Sequence, residues 1–107
     1  MLRIAVLLTC YNRHQKTLNC LKSVYKQKNT EETVFDVYLV DDHSPDDTGN
    51  IVKKYYPSVN VINGTGFLFW VGGMRLCWSE ALKNNYDGYL LLNDDVLLKE
   101  NAFEQLL

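Results

Sequence analysis

The sequence predicts a three-layer α/β/α fold, with helices packed on both faces of a mainly parallel sheet. Three observations carry this expectation. Short apolar runs alternate with amphipathic stretches in the order β-α-β-α-β-α-β-α. Strands separated by single helices pair in parallel through right-handed crossovers. One run, Tyr89 to Leu92, is unbroken and follows the turn pair Asp87-Gly88, so it reads as a strand buried on both faces and central in its sheet. Finally, every run ends in polar residues, and the ends of parallel strands share one edge, where open α/β sheets take their ligands.

Each element has its own signal. Leu2 to Thr9 is an apolar strand running into the polar cluster Thr9-Cys10-Tyr11-Asn12-Arg13. A helix follows from about Gln15 to Lys26. Leu18, Leu21, Val24 and Tyr25 share one of its faces, and Lys16, Lys22 and Lys26 the other. Asn29 to Thr33 is a loop, Phe35 to Val40 a strand, and Asp41-Asp42-His43-Ser44 its polar end. Asp47 or Thr48 can cap the next helix, which turns Ile51, Val52, Tyr55 and Tyr56 inward and stops at Pro57. Val59 to Ile62 is a short strand ending at Asn63-Gly64. In Gly64 to Gly73, glycines bracket five large apolar residues, which suits a shaped loop. Met74 to Asn84 is a helix with Met74, Cys77, Trp78, Ala81 and Leu82 as its buried stripe. After the Tyr89 to Leu92 strand, Glu100 to Leu107 forms a last short helix burying Phe103, Leu106 and Leu107.

Composition narrows the functional classes. A chain of 107 residues is one domain with a single core. Eleven basic and thirteen acidic side chains give a net charge of −2, without the basic stripe of a nucleic-acid groove. Cys10, Cys20 and Cys77 lack metal-ligand spacing and read as reduced thiols. No apolar run is long enough for a membrane span, and no leader precedes the first strand. The expectation is a cytoplasmic protein, soluble or peripheral to the inner face of a membrane.

The polar strand ends converge on one kind of chemistry. Neither G-x-G-x-x-G after the first strand nor a P-loop occurs, so no glycine cradle holds a phosphate. Two adjacent carboxylates, Asp94-Asp95, repel each other unless a cation compensates. Hard oxygen ligands suit Mg²⁺ or Mn²⁺, which complete their shell with phosphate and water. Plainer readings stand beside this one. Asp41 or Asp42 can serve only to cap the following helix. Asp94-Asp95 also fits an ordinary turn. Tyr11 fits an exposed loop aromatic. His14 and His43 read as surface histidines.

Taken together, Val6 to Arg13 (VLLTCYNR), Cys20 to Val24 (CLKSV), Val40 to Asp46 (VDDHSPD), Asn63-Gly64 and Leu91 to Asp95 (LLNDD) resemble the N-terminal half of the family-two, GT-A-type glycosyltransferases. The resemblance implies a Rossmann-like GT-A half-domain with strand order 3-2-1-4. It implies that Thr9 and Tyr11 flank a nucleotide base and that Asp42 hydrogen-bonds it. Asp94, in the DxD-like motif, would lie near the ribose and phosphates, and Asp95 would ligate the metal. The activity implied is inverting transfer of a sugar from a nucleoside-diphosphate sugar to an acceptor hydroxyl, on a glycan or lipid-linked sugar. Residues 1–107 would be the nucleotide-sugar-binding part. The family's acceptor half and its catalytic carboxylate base lie beyond the DxD-like motif, whereas this chain ends twelve residues after Asp95, within an amphipathic pattern. A fragment of this kind would bind donor without turnover, and an apolar surface around Phe67 to Trp70 would drive homodimerisation. Two rivals fit less well. A receiver-type regulatory module needs its acidic pair after the first strand, and a sugar nucleotidyltransferase needs a glycine- and basic-rich loop there.

Overall fold

The computed structural model describes residues 1–107, and strands and helices alternate throughout. They are β1 (Leu2–Cys10), α1 (His14–Tyr25), β2 (Thr33–Asp41), α2 (Thr48–Tyr55), β3 (Asn60–Asn63), α3 (Phe69–Ala81), β4 (Gly88–Asn93) and α4 (Ala102–Leu106). The strands form one sheet in the order β3-β2-β1-β4, with every pair parallel.

The alternation of side chains along β1 divides the core in two. Ile4, Val6, Leu8 and Cys10 face one side, where Cys20, Leu21 and Val24 of α1, Val52 of α2 and Phe103 of α4 close over them. Ala5 and Leu7 face the other, where Met74, Cys77 and Ala81 of α3 pack. Three layers result, and β1 is covered on both sides from Ile4 onward.

Several local expectations are corrected. The Tyr89 to Leu92 run forms an edge strand, not a central one. Helix α3 packs on β1 and β2, so it leaves Leu91 39% exposed, and only Leu92 of the run is buried. An apolar composition records which residues can be covered, not which neighbours reach them.

Helix α3 starts at Phe69, five residues before the expected Met74, and takes Gly72 and Gly73 into its first turns. Its buried stripe is Gly73, Met74, Cys77 and Ala81, so Trp78 and Leu82, expected inside, are exposed. Small residues let the helix lie close to the sheet, and the bulky Trp78 ring sits at the flank, 5.4 Å from Tyr89 centroid to centroid. Tyr55 also points outward, with Lys54 Nζ 5.6 Å from its ring centre. Tyr25 lies at the rim of the core and stacks on Tyr56 at 5.3 Å. Helix α4 buries Phe103 but leaves Leu106 and Leu107 exposed, because a five-residue helix turns only one side to the sheet. At α2 neither Asp47 nor Thr48 caps by its side chain. Asp46 accepts from the Thr48 amide at 3.2 Å and from its hydroxyl.

Candidate functional site

Strand register sets the site. Thr9 lies level with Asn93 on one side and Val40 on the other, and Cys10 pairs with Asp41, which pairs with Asn63. The carboxyl ends of β1, β2 and β4 therefore finish together. With the start of α3 they enclose a cleft of about 590 Å³. Thr9, Tyr11, Asp42, Asp94 and Asp95, from three chain segments, all line it, and so do Arg13, Phe69 and Trp70.

Asp41 and Asp42 diverge because successive residues of an extended chain point to opposite faces. The Asp41 carboxylate turns toward α2. It accepts from the Gly49 amide at 2.9 Å, the Ser44 amide at 3.1 Å and the Ser44 hydroxyl. That is the capping role open to either aspartate in the sequence. Asp42 turns toward α3. Its Oδ1 accepts from the Gly66 amide at 2.8 Å, and its Oδ2 from the amides of Leu68 at 3.1 Å and Phe69 at 3.0 Å. A buried carboxylate thus ties down the glycine-bracketed loop and satisfies the open amides where α3 begins. Phe69, at φ +56°, holds a left-handed conformation unusual for an aromatic residue. This places the exposed Phe69 and Trp70 along one wall of the cleft.

Thr9 lies on the floor. A Cβ at Gly73 would stand 2.4 Å from its Cγ2 and 2.6 Å from its Oγ1, so only glycine lets α3 pass this close. The Thr9 hydroxyl is buried and has no hydrogen-bond partner. Buried polar groups are rarely left so, and this one is packed beneath Gly73 of α3. Tyr11 stands exposed at the opposite lip.

At the end of β4 the Asp94 side chain is 10% exposed and that of Asp95 is 47%. Asp94 Oδ2 accepts from the Thr17 hydroxyl at 3.3 Å. Arg13 Nη1 lies 3.5 Å from Asp94 Oδ1 and 3.5 Å from Asp95 Oδ2. Burial pushes the Asp94 carboxyl above its ordinary pKa, although Arg13 and the Thr17 hydroxyl pull the other way. The thiol of Cys20 is pushed up to about 11, by burial first and then by Asp94 and Asp95. Burial raises Cys77 to about 11, and it raises Cys10 as well, helped by Asp41 and Asp94. All three thiols are free, buried and unreactive.

Arg13 and Thr17 are site residues that the pattern of the sequence misses. Arg13 is 81 positions from Asp94 and Thr17 is 77, and neither falls in a motif that predicts a partner at that distance. His14 is exposed and bonds Asp46 at 3.1 Å, and His43 is exposed too.

Nowhere do three His, Cys, Asp or Glu side chains stand close enough to cage a metal. Two carboxylates already sharing one cationic group nevertheless fit Mg²⁺ or Mn²⁺, whose remaining ligands come from water and phosphate. No helix is long and apolar enough to cross a membrane.

Comparison with known proteins agrees with this geometry. No curated protein sequence matches the chain. Solved structures do. S. aureus TarS 1-349 in complex with UDP is 22% identical, with a TM-score of 0.77 over 98% of this chain and 31% of that one. Its complex with UDP-GlcNAc is 21% identical, with a TM-score of 0.79 over 98% of this chain and 30% of that one. The mannosyltransferase PcManGT from Pyrobaculum calidifontis, in complex with GDP-Man and Mn²⁺, is 18% identical, with a TM-score of 0.71 over 89% of this chain and 28% of that one. At these identities the likeness shows a shared Rossmann-like GT-A fold, and the chain spans less than a third of each structure's length. The sequence profile described as Glycosyl transferase family 2 matches residues 5–107. That match takes in all of the sheet but the first three residues of β1, and every side chain of the cleft, and the chain belongs to glycosyl transferase family 2.

Proposed function

We propose that this chain is the nucleotide-sugar-binding part of an inverting glycosyltransferase. The whole enzyme would transfer a sugar from a nucleoside-diphosphate sugar to a hydroxyl of a glycan or lipid-linked sugar. The observation that carries the reading is the meeting of Thr9, Tyr11, Asp42, Asp94 and Asp95 in one cleft at the carboxyl edge of a parallel sheet. The UDP, UDP-GlcNAc and GDP-Man bound in the neighbouring structures support a nucleoside-diphosphate ligand.

Each residue has a proposed part. Thr9 and Tyr11 flank the base, Thr9 from the floor of the cleft and Tyr11 from its exposed surface. Asp42 hydrogen-bonds the base from the rim while it holds the loop amides of Gly66 to Phe69. Asp94, steadied by Thr17, faces the ribose and phosphates, and Asp95 ligates Mg²⁺ or Mn²⁺. The Mn²⁺ in the mannosyltransferase neighbour supports such an ion. When bound, it offsets the negative charge of the leaving diphosphate. Every cleft carboxylate is already engaged, by Arg13 or by loop amides. As the family resemblance implies, the carboxylate that deprotonates the acceptor is proposed to lie outside these residues. The chain alone would bind donor and turn over nothing.

Titration calorimetry with UDP and GDP, with and without Mn²⁺, tests the reading. At least one nucleotide should bind. Asp95→Ala should abolish the Mn²⁺ dependence, and Asp42→Ala should weaken binding even without metal, by about tenfold for one lost charged hydrogen bond. Flat traces for both nucleotides in both conditions would count against a formed donor site.

A further inference from the structure

Arg13 is the one cation between the two cleft carboxylates, and its geometry is that of an occupant, not a fixture. Its backbone is anchored, because the Arg13 carbonyl accepts from the Thr17 amide at 2.8 Å where α1 begins. Its side chain is 49% exposed. Both contacts are 3.5 Å, longer than the 2.7–2.9 Å usual for a locked guanidinium–carboxylate pair. One nitrogen, Nη1, reaches both aspartates, so the fork that makes arginine bind carboxylates rigidly is not used. The group neutralises two neighbouring negative charges through Nη1 alone, and half of its surface faces solvent.

We infer that Arg13 is a resident counter-ion that yields its place beside Asp95 to an incoming divalent cation and then pairs with the diphosphate that comes with it. The inference rests on the donor-site reading and deepens it. A guanidinium and a divalent ion cannot share the gap, since each repels the other at this distance. A free ion must therefore displace Arg13 with nothing to receive it. An ion accompanied by a diphosphate brings the negative charge that Arg13 needs. The exchange suppresses binding of the bare ion and favours the ion–nucleotide pair, so the two ligands bind cooperatively. Arg13 is a positioning residue in this scheme, because it acts through the carboxylates and the phosphates and not on the reacting atoms.

The test measures Mn²⁺ binding by the electron paramagnetic resonance signal of the free ion, with and without UDP, for the native chain, Arg13→Gln and Arg13→Lys. Arg13→Gln should bind Mn²⁺ alone about three- to fivefold more tightly, the size expected for a half-exposed ion pair. The enhancement of Mn²⁺ affinity by UDP should shrink in the same variant. Arg13→Lys should stay close to the native chain, because a point charge still competes for the gap. Unchanged or weaker Mn²⁺ binding in Arg13→Gln, or a lysine variant that behaves like glutamine, overturns the inference while UDP binding leaves the donor site standing. No Mn²⁺ binding in any chain, with UDP or with GDP, overturns this inference and the metal role of Asp95, whereas flat nucleotide titrations with and without Mn²⁺ are what overturn the donor-site reading.

Discussion

Burial and charge act against each other at Asp94. Its raised pKa means that the folded state holds the proton more tightly than the unfolded state does. The sign follows from linkage. Stability falls as pH rises from the ordinary carboxylate value, about 3.9, to the raised value, and then levels off. Asp46 works in the other direction: burial opposes ionisation there, but bonds from Thr48 and His14 win and lower its pKa. Its contribution is lost only as pH falls below the ordinary value, so the two windows do not overlap. Thermal melts of the native chain should therefore decline above about pH 4, those of Asp94→Asn should lack this decline, and the variant should be the more stable at pH 7. Equal melting temperatures at pH 7 would contradict this. Of the residues around Asp94, the sequence made the acidic pair visible as a candidate beside its plainer reading as a turn, and the two residues do form a turn after β4, at the cleft. Arg13 and Thr17 were not legible there, because their roles come from β1 and β4 lying side by side.

At the scale of elements, α3 shows why the layers were easier to foresee than the boundaries. Alternation of apolar runs with amphipathic stretches was enough for the α/β class, and the order β3-β2-β1-β4 was implied by family resemblance. The start of α3 was hidden, because Gly72 and Gly73 argue locally against a helix. What outweighs that cost is tertiary: Gly73 is where the helix passes over Thr9. The edge position of β4 and the outward Trp78 share this origin, since periodicity reports a helix face without its partner. Gly73→Ala separates the two influences. Propensity alone would stabilise the helix by about 1 kcal/mol. A methyl group 2.4 Å from Thr9 Cγ2 must instead push α3 off β1, and overpacking of this kind costs about 1–3 kcal/mol. Urea denaturation should show net destabilisation, and a gain in stability would refute the close-packing account.

At the scale of the whole molecule, one run of exposed apolar groups stands at the start of α3, beside the cleft. Phe67 is 82% exposed and Phe69 72%, next to exposed Trp70 and Val71. Surface of this kind associates. Sedimentation velocity should show a concentration-dependent shift beyond the monomer, removed by Phe67→Ser with Phe69→Ser. A clean monomer at high concentration would contradict it. The parallel sheet has one further outcome. Because every strand runs the same way, the turns before β2 and β4 gather at the end remote from the cleft, and Glu31 and Asn85 there are exposed. β1 spans nine residues, roughly 30 Å at the usual rise. A fluorophore, an affinity handle or an anchor to a solid support can be attached at either residue without crowding the cleft.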